Sequence, residues 1–213
     1  MSVLFSGWEV VEDGASCHAV QLRPSQKPQA RGVYIMYHGT SVASARSIIA
    51  NGFEKSKRGM LGEGVYVSRD KNKAALYPYN GTSADRVILE LHVRVGRVKR
   101  IDTDNHPLQY DWHLHGYDTA WVPPNIGLLA APKGFEEDCV FDPKRVKVVG
   151  IVQAPNPTIE KELEQQLAKR RDDAANLCSL CKRNTQQGAP HISQQCWKCG
   201  KNICILMAKH FCP

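Results

Sequence analysis

Three short segments hold residue types that do chemistry together. Tyr37-His38-Gly39-Thr40 puts an imidazole beside a glycine at the end of a strand-like run. Gly59-Met60-Leu61-Gly62-Glu63-Gly64-Val65-Tyr66-Val67-Ser68 is followed by Lys73-Ala74-Ala75-Leu76-Tyr77, which sets two phenols eleven residues apart. Glu136-Glu137-Asp138-Cys139-Val140-Phe141-Asp142 opens on adjacent carboxylates. A glycine after a strand-end histidine lets a planar ligand reach backbone N–H and C=O groups, which can bind an amide. Tyr66 and Tyr77 could clamp a flat ring by stacking. A carboxylate near a sugar C1 can stabilise an oxocarbenium-like centre. Singly, each has a bland reading: His38 satisfying local hydrogen bonds, the tyrosines packing a core, Glu137 one solvated acid among many. The ordered combination is what points to a site.

A second constellation lies near the C-terminal end. Cys178-x2-Cys181 and Cys196-x2-Cys199 are two metal knuckles, spaced to fit one tetrahedral zinc site. Cys204, His210 and Cys212 follow, with His191 between the knuckles. That is enough for a second zinc in a cross-braced arrangement, with the pairing and the participating histidine left open. Ile203, Ile205, Leu206, Met207 and Phe211 are expected to supply a small core around the metal. A segment this short needs such a staple to fold.

The elements that must position these groups can be read from patterning. The run 32–37 reads as a strand. Residues 41–51 read as a helix, with Thr40 or Ser41 as cap, Ala45, Ile48 and Ile49 as its apolar stripe, and Gly52 after its end. Val65-Tyr66-Val67 is a short strand, and 70–77 a short helix stopped by Pro78. Residues 86–95 alternate apolar and polar and form the clearest strand. Residues 102–136 read as loop-rich. Within them the ring-rich run 111–121 serves either as a lid or acceptor-site loop, or as a surface loop pinned by its aromatics. Residues 146–152 suit a buried strand, and 158–175 an amphipathic helix. Several strands with short helices indicate an α+β fold. Gly62-Glu63-Gly64 precedes a strand rather than opening a helix, so it is not a dinucleotide fingerprint.

The chain has 213 residues and a formal net charge of +7. Residues 1–175 are nearly neutral at +2, whereas 176–213 carry five basic side chains and no acid. Six of the eight cysteines lie in that same tail. The expected organisation is a body over 1–157, a linker helix over 158–175 and a Cys-rich module over 176–213. Residues 1–8 show no secretory signal, and no apolar run is long enough for a membrane helix. The chain therefore reads as cytoplasmic, with the nucleus also open, and as having no membrane partner. With no signal, the tail cysteines are metal ligands rather than disulfides. Loading one four-cysteine site would bring the tail to about +3, and two sites lower still.

The body resembles the catalytic domain of poly(ADP-ribose) polymerase-type ADP-ribosyltransferases. The resemblance rests on His38-Gly39, on Gly62-x-Gly64-x-Tyr66 with Tyr77 eleven residues later, and on Glu137 at the start of a run ending in Phe141-Asp142. It spans roughly residues 30–153. Within that superfamily the chain is most similar to the grass carp reovirus-induced gene 2 family of interferon-responsive fish proteins, which implies an antiviral role in innate immunity. The resemblance implies split mixed and antiparallel sheets, NAD+ as substrate, and a catalytic set of His38, Tyr66 and Glu137. His38, Gly39, Thr40, Tyr66, Ala74 and Tyr77 would contact NAD+. His38 would bind the adenosine-side ribose, Gly39 the nicotinamide carboxamide, and Tyr66 and Tyr77 the nicotinamide ring. Glu137 would hold the nicotinamide ribose 2′-OH and stabilise the oxocarbenium. Ala74 departs from the family, which usually has a serine there to bind the carboxamide. The resemblance also implies transfer to a protein or nucleic-acid acceptor, as single units rather than chains. The alternative is an inactive relative that binds NAD+, ADP-ribose or nucleic acid. The zinc tail, with its basic residues and Trp197 and Phe211, could contact RNA or DNA, or a protein instead.

Overall fold

A computed structural model describes residues 4–5, 8–11, 33–78, 82–128, 134–175, 177–178, 180–181, 183, 191, 193–204, 206 and 210–212, with backbone alone for 4–5, 8–11, 83, 172–175 and 193. The chain divides into two compact units, Met1–Glu164 and Gln165–Pro213.

The first unit contains β1 (Leu4–Phe5), β2 (Trp8–Val11), β3 (Val33–Ser41), α1 (Val42–Asn51), β4 (Val65–Val67), α2 (Lys71–Ala74), β5 (Arg86–Arg94), β6 (Val98–Arg100), β7 (Thr119–Val122), β8 (Glu137–Val140) and β9 (Val146–Gln153). Helix α3 (Pro157–Ala175) runs across the division, and the second unit adds β10 (Ser193–Gln195) and β11 (Asn202–Cys204). The strands of the first unit form two sheets. One has the order β1-β2-β6-β7-β8-β4, with β2-β6 and β6-β7 parallel and its other pairs antiparallel. The other is the antiparallel β3-β5-β9. The fold is therefore α+β with mixed and antiparallel sheets.

Strand β5 lies between β3 and β9, and Val87, Ile88, Leu89, Leu91 and Val93 are fully buried along it. Its alternation breaks at Ile88, where both faces are covered. Helix α1 starts where the Ser41 hydroxyl accepts from the Ser44 N–H at 3.1 Å, and Asp85 Oδ1 accepts from the Val42 N–H at 3.0 Å. It ends at Gly52, whose φ of 95° only glycine adopts readily. Ala45 and Ile49 are buried, whereas Ile48 turns toward a cavity.

Two expectations need correction. Strand β3 does not stop at Tyr37 but continues through His38, Gly39 and Thr40, each paired across to β5. The stretch 102–136 is not merely loop, because Thr119–Val122 forms the buried strand β7. A four-residue strand with neighbours on both sides has too little polar alternation to stand out.

Among the described residues, a backbone bridge joins the two sheets. The Tyr37 N–H donates to the Ser68 carbonyl at 2.7 Å, and the Ser68 N–H donates to the Tyr37 carbonyl at 3.0 Å. Beyond that bridge they part, and a cavity of about 630 Å³ opens beside it. No helix among the described residues is long and apolar enough to cross a membrane.

Candidate functional site: a cleft between two sheets

The cavity is lined by His38, Gly39 and Thr40 of β3, Tyr66 of β4, Lys73 and Ala74 of α2, Tyr77 just beyond it, and Glu137 of β8. Segments up to 99 positions apart in sequence thus meet in one cleft.

His38 is held by Tyr66. Its Nδ1 lies 2.8 Å from the Tyr66 carbonyl oxygen, which can only accept, so Nδ1 carries the proton. Burial lowers its pKa, and the Tyr66 contact opposes that only in part. The ring is therefore neutral near pH 7 and keeps an acceptor lone pair on Nε2. Phe53 packs edge-on against it at 5.2 Å between centroids.

Gly39 contributes backbone. Ladder bonds alternate along a strand, so Gly39 turns its N–H and C=O the same way as Tyr37, toward Ser68 and away from β5. A Cβ on Gly39 would fall inside the Ala74 carbonyl, so only glycine permits α2 to approach β3 this closely. Ala74 itself is buried and offers no side-chain donor.

The Tyr66 hydroxyl is fully engaged. It donates to the Gly62 carbonyl at 2.7 Å and accepts from the Leu61 N–H at 2.9 Å. Burial raises its pKa above that of an ordinary phenol. Tyr66 therefore offers a ring rather than an acid. The glycine loop permits this, since a Cβ at Gly59 would overlap the Tyr66 ring. The ring-rich segment braces the same loop. Trp112 Nε1 donates to the Leu61 carbonyl at 2.7 Å, and Gln109 Nε2 donates to the Met60 carbonyl at 2.9 Å. His113 stacks on Phe141 with centroids 4.2 Å apart. Trp112 joins Leu61, Tyr117 and Cys139 in a core against which Tyr66 packs.

The neighbouring carboxylates point to different places. Glu136 forms a buried two-pronged pair with Arg69, at 2.9 Å to Nε and 2.7 Å to Nη2, and also accepts from the Arg69 backbone N–H at 2.8 Å. Arg69 lies over the rings of Tyr34 and Trp121. Glu137 instead lines the cleft, where its Oε2 accepts from Lys73 Nζ at 2.7 Å. Burial raises the Glu137 pKa, and Lys73 offsets part of that. Asp138, completely buried on the other face of β8, has its pKa pushed well up by burial and by Glu136.

Sequence reasoning gave Lys73, Arg69 and Arg58 no role. Lys73 lay within a quoted segment, but its pairing with Glu137 depends on α2 meeting β8. Arg58, exposed on the loop after α1, lines the same cleft.

In the second unit, the cysteines and histidines gather into two groups. Cys178, Cys181, His191 and Cys204 form one; Cys196, Cys199, His210 and Cys212 form the other. Within each group the ligand atoms lie within 4.8 Å of one another. His191 Nδ1 is 3.2 Å from Cys181 Sγ, and His210 Nε2 is 3.3 Å from Cys199 Sγ. Three thiols and an imidazole converging at tetrahedral-edge spacing suit zinc, which would tie the chain segments together without taking part in a reaction. Of the arrangements that spacing left open, the grouping is the two-site, cross-braced one rather than a single four-cysteine site. Each knuckle heads its own group, the groups interleave along the chain, and His191 joins the ligand set. Backbone N–H groups of the knuckle turns lower the Cys178 and Cys196 thiol pKa values to about 6, favouring the thiolates a metal needs. Each Cys3His group with one dication nets −1, so two loaded sites leave the tail near +3 rather than lower.

The class that fold and cleft define is a split-sheet α+β domain with a histidine, paired tyrosines and a glutamate around one donor-sized cavity. Residues 15–118 match the family model described as poly(ADP-ribose) polymerase catalytic domain. That match includes His38, Gly39, Tyr66, Ala74 and Tyr77, and ends before Glu137 and the Cys/His tail. The matched family implies NAD+ as substrate and ADP-ribosyl transfer as the activity class. No curated protein matches the chain.

Proposed function

We propose that the protein transfers single ADP-ribose units from NAD+ to a protein or nucleic-acid acceptor, using the cleft between the two sheets. The observation that carries this reading is the meeting of Glu137 with His38, Tyr66 and Tyr77 around one cavity. His38 Nε2 accepts a hydroxyl of the adenosine-side ribose. The open-edge N–H and C=O of Gly39 hold the carboxamide. The rings of Tyr66 and Tyr77 flank the nicotinamide, and Arg58 is placed to meet the diphosphate.

Glu137 binds the 2′-OH of the nicotinamide ribose and faces C1′. As the C1′–N bond breaks, its electron pair leaves with nicotinamide, and the carboxylate stabilises the developing oxocarbenium. An acceptor oxygen or nitrogen then bonds to C1′ and gives its proton to solvent or to Glu137. Lys73 keeps Glu137 ionised and positioned until the ribose displaces or shares it. Positioning and charge do most of the work.

Labelled NAD+ offered to wild type and to Glu137→Gln tests the reading. Incorporation by wild type alone is expected, and equal incorporation in both would sink it. Because the carboxylate is the active form and its pKa is raised, the acid limb of the rate profile should fall at a higher pH than for an ordinary glutamate. A limb at the ordinary carboxylate position would place Glu137 in a wetter site than the cleft.

A second reading, binding without turnover, is favoured by Ala74, which removes a carboxamide donor. Calorimetry showing bound NAD+ and no released nicotinamide would select it. The zinc ligation, the cytoplasmic setting, and the antiviral placement beside the grass carp reovirus-induced gene 2 family belong to the proposal. That placement rests on the motif set alone.

A further inference from the structure

The second Cys/His group carries two aromatic side chains on its outside. Trp197 lies between ligands Cys196 and Cys199 and is 90% exposed; Phe211 lies between ligands His210 and Cys212 and is 81% exposed. Cys196 Sγ and Cys212 Sγ are 3.5 Å apart, so both rings flank one small cluster. Single exposed apolar residues are ordinary on protein surfaces. Two large rings on one Cys/His group, both almost entirely in solvent, forgo the stabilisation that burial would give. Lys198 and Lys201, also exposed, stand in the same knuckle and just beyond it. No aspartate or glutamate occurs anywhere in 176–213.

We infer that this face binds single-stranded nucleic acid, with bases stacked on Trp197 and Phe211 and phosphates drawn to Lys198 and Lys201. The partner must present flat apolar faces together with negative charge. An unpaired strand does so, because its bases are unstacked and each nucleotide carries a phosphate. A duplex hides the ring faces within its stack. An acidic peptide supplies charge without a flat surface at every residue.

This inference rests on the metal reading of the tail, so zinc is counted first on the full-length, zinc-supplemented chain. The probe is a fluorescent 12-nucleotide oligouridylate followed by anisotropy, with a duplex of equal length and polyglutamate as competitors. Two zinc ions per chain and preferential single-strand binding are expected. Trp197→Ala and Phe211→Ala should each weaken binding about 5- to 150-fold at unchanged zinc content. Binding should also weaken with added salt. A chain without bound zinc overturns the metal reading and the surface built on it. A chain with two zinc ions that ignores the oligonucleotide, binds it equally after both substitutions, or loses it equally to polyglutamate overturns the nucleic-acid inference alone.

Discussion

The cleft-bearing body and the Cys-rich tail hold themselves together by different means. In the body, fully buried side chains are large and apolar, among them Trp112, Trp121, Met36, Ile88, Leu89 and Leu91. In the tail beyond α3, the buried residues among those described are Cys178, Cys196 and Cys204, all of them members of the two Cys/His groups. Leu206 and Phe211, expected to form an apolar core there, are exposed, and Ile203 is only half-buried. Ile205 and Met207 lie outside the described residues. The body thus draws its order from hydrophobic burial and strand pairing. Among the described residues the tail has sulfur where a core would be, and a segment this short needs a staple to fold.

Removing metal should expose this difference most sharply. Structural zinc contributes about 10–16 kcal/mol to small metal-bound domains. With excess chelator, amides of β10 and β11 should exchange as in an unfolded chain, while those of β3, β5 and β9 keep their protection. Loss of protection in both regions would erase the contrast.

The next effect lies within the body. Glu136→Ala leaves the Arg69 guanidinium buried without its carboxylate, a loss of about 3–5 kcal/mol. Thermal melting should fall accordingly and should not depend on zinc. Glu137→Gln keeps an oxygen for Lys73 and should cost less stability while removing activity. The reverse ranking would mean that the two glutamates had exchanged roles.

The smallest effect sharpens the cleft alone. Ala74→Ser supplies one donor to an amide held at the Gly39 edge, contributing about 0.5–1.5 kcal/mol. Calorimetry with a nicotinamide mimic should read about 2- to 12-fold tighter binding. Unchanged affinity would mean that the Ala74 side chain does not face the carboxamide.

Local pattern made much of this legible. The strand over 86–94 stood out because half-buried strands alternate, and α1 because its cap, apolar stripe and Gly52 agree. Gly39 and Tyr66 could be singled out by the ordered combination of the three segments, not by either residue alone. Strand β7 was hidden because burial on both sides leaves no alternation. The membership of the two Cys/His groups stayed open because two identical knuckles fit a shared site or two separate ones equally well by spacing.

The sequence by itself determined the residue types: an imidazole beside a glycine, two phenols, a carboxylate doublet, and thiols in pairs. It also set the concentration of positive charge in the acid-free tail. Tertiary structure decided which member of each set faces what. On β8 the two-residue strand period turns Asp138 to the opposite face from Glu137. The buried Arg69 pair holds Glu136, and Lys73 meets Glu137 at the cleft. In the tail, folding of the β10–β11 hairpin gives Cys204 to the first knuckle's group, though it follows the second knuckle in sequence. Partner choice across long separations depends on where backbones cross, and spacing along the chain carries no record of that.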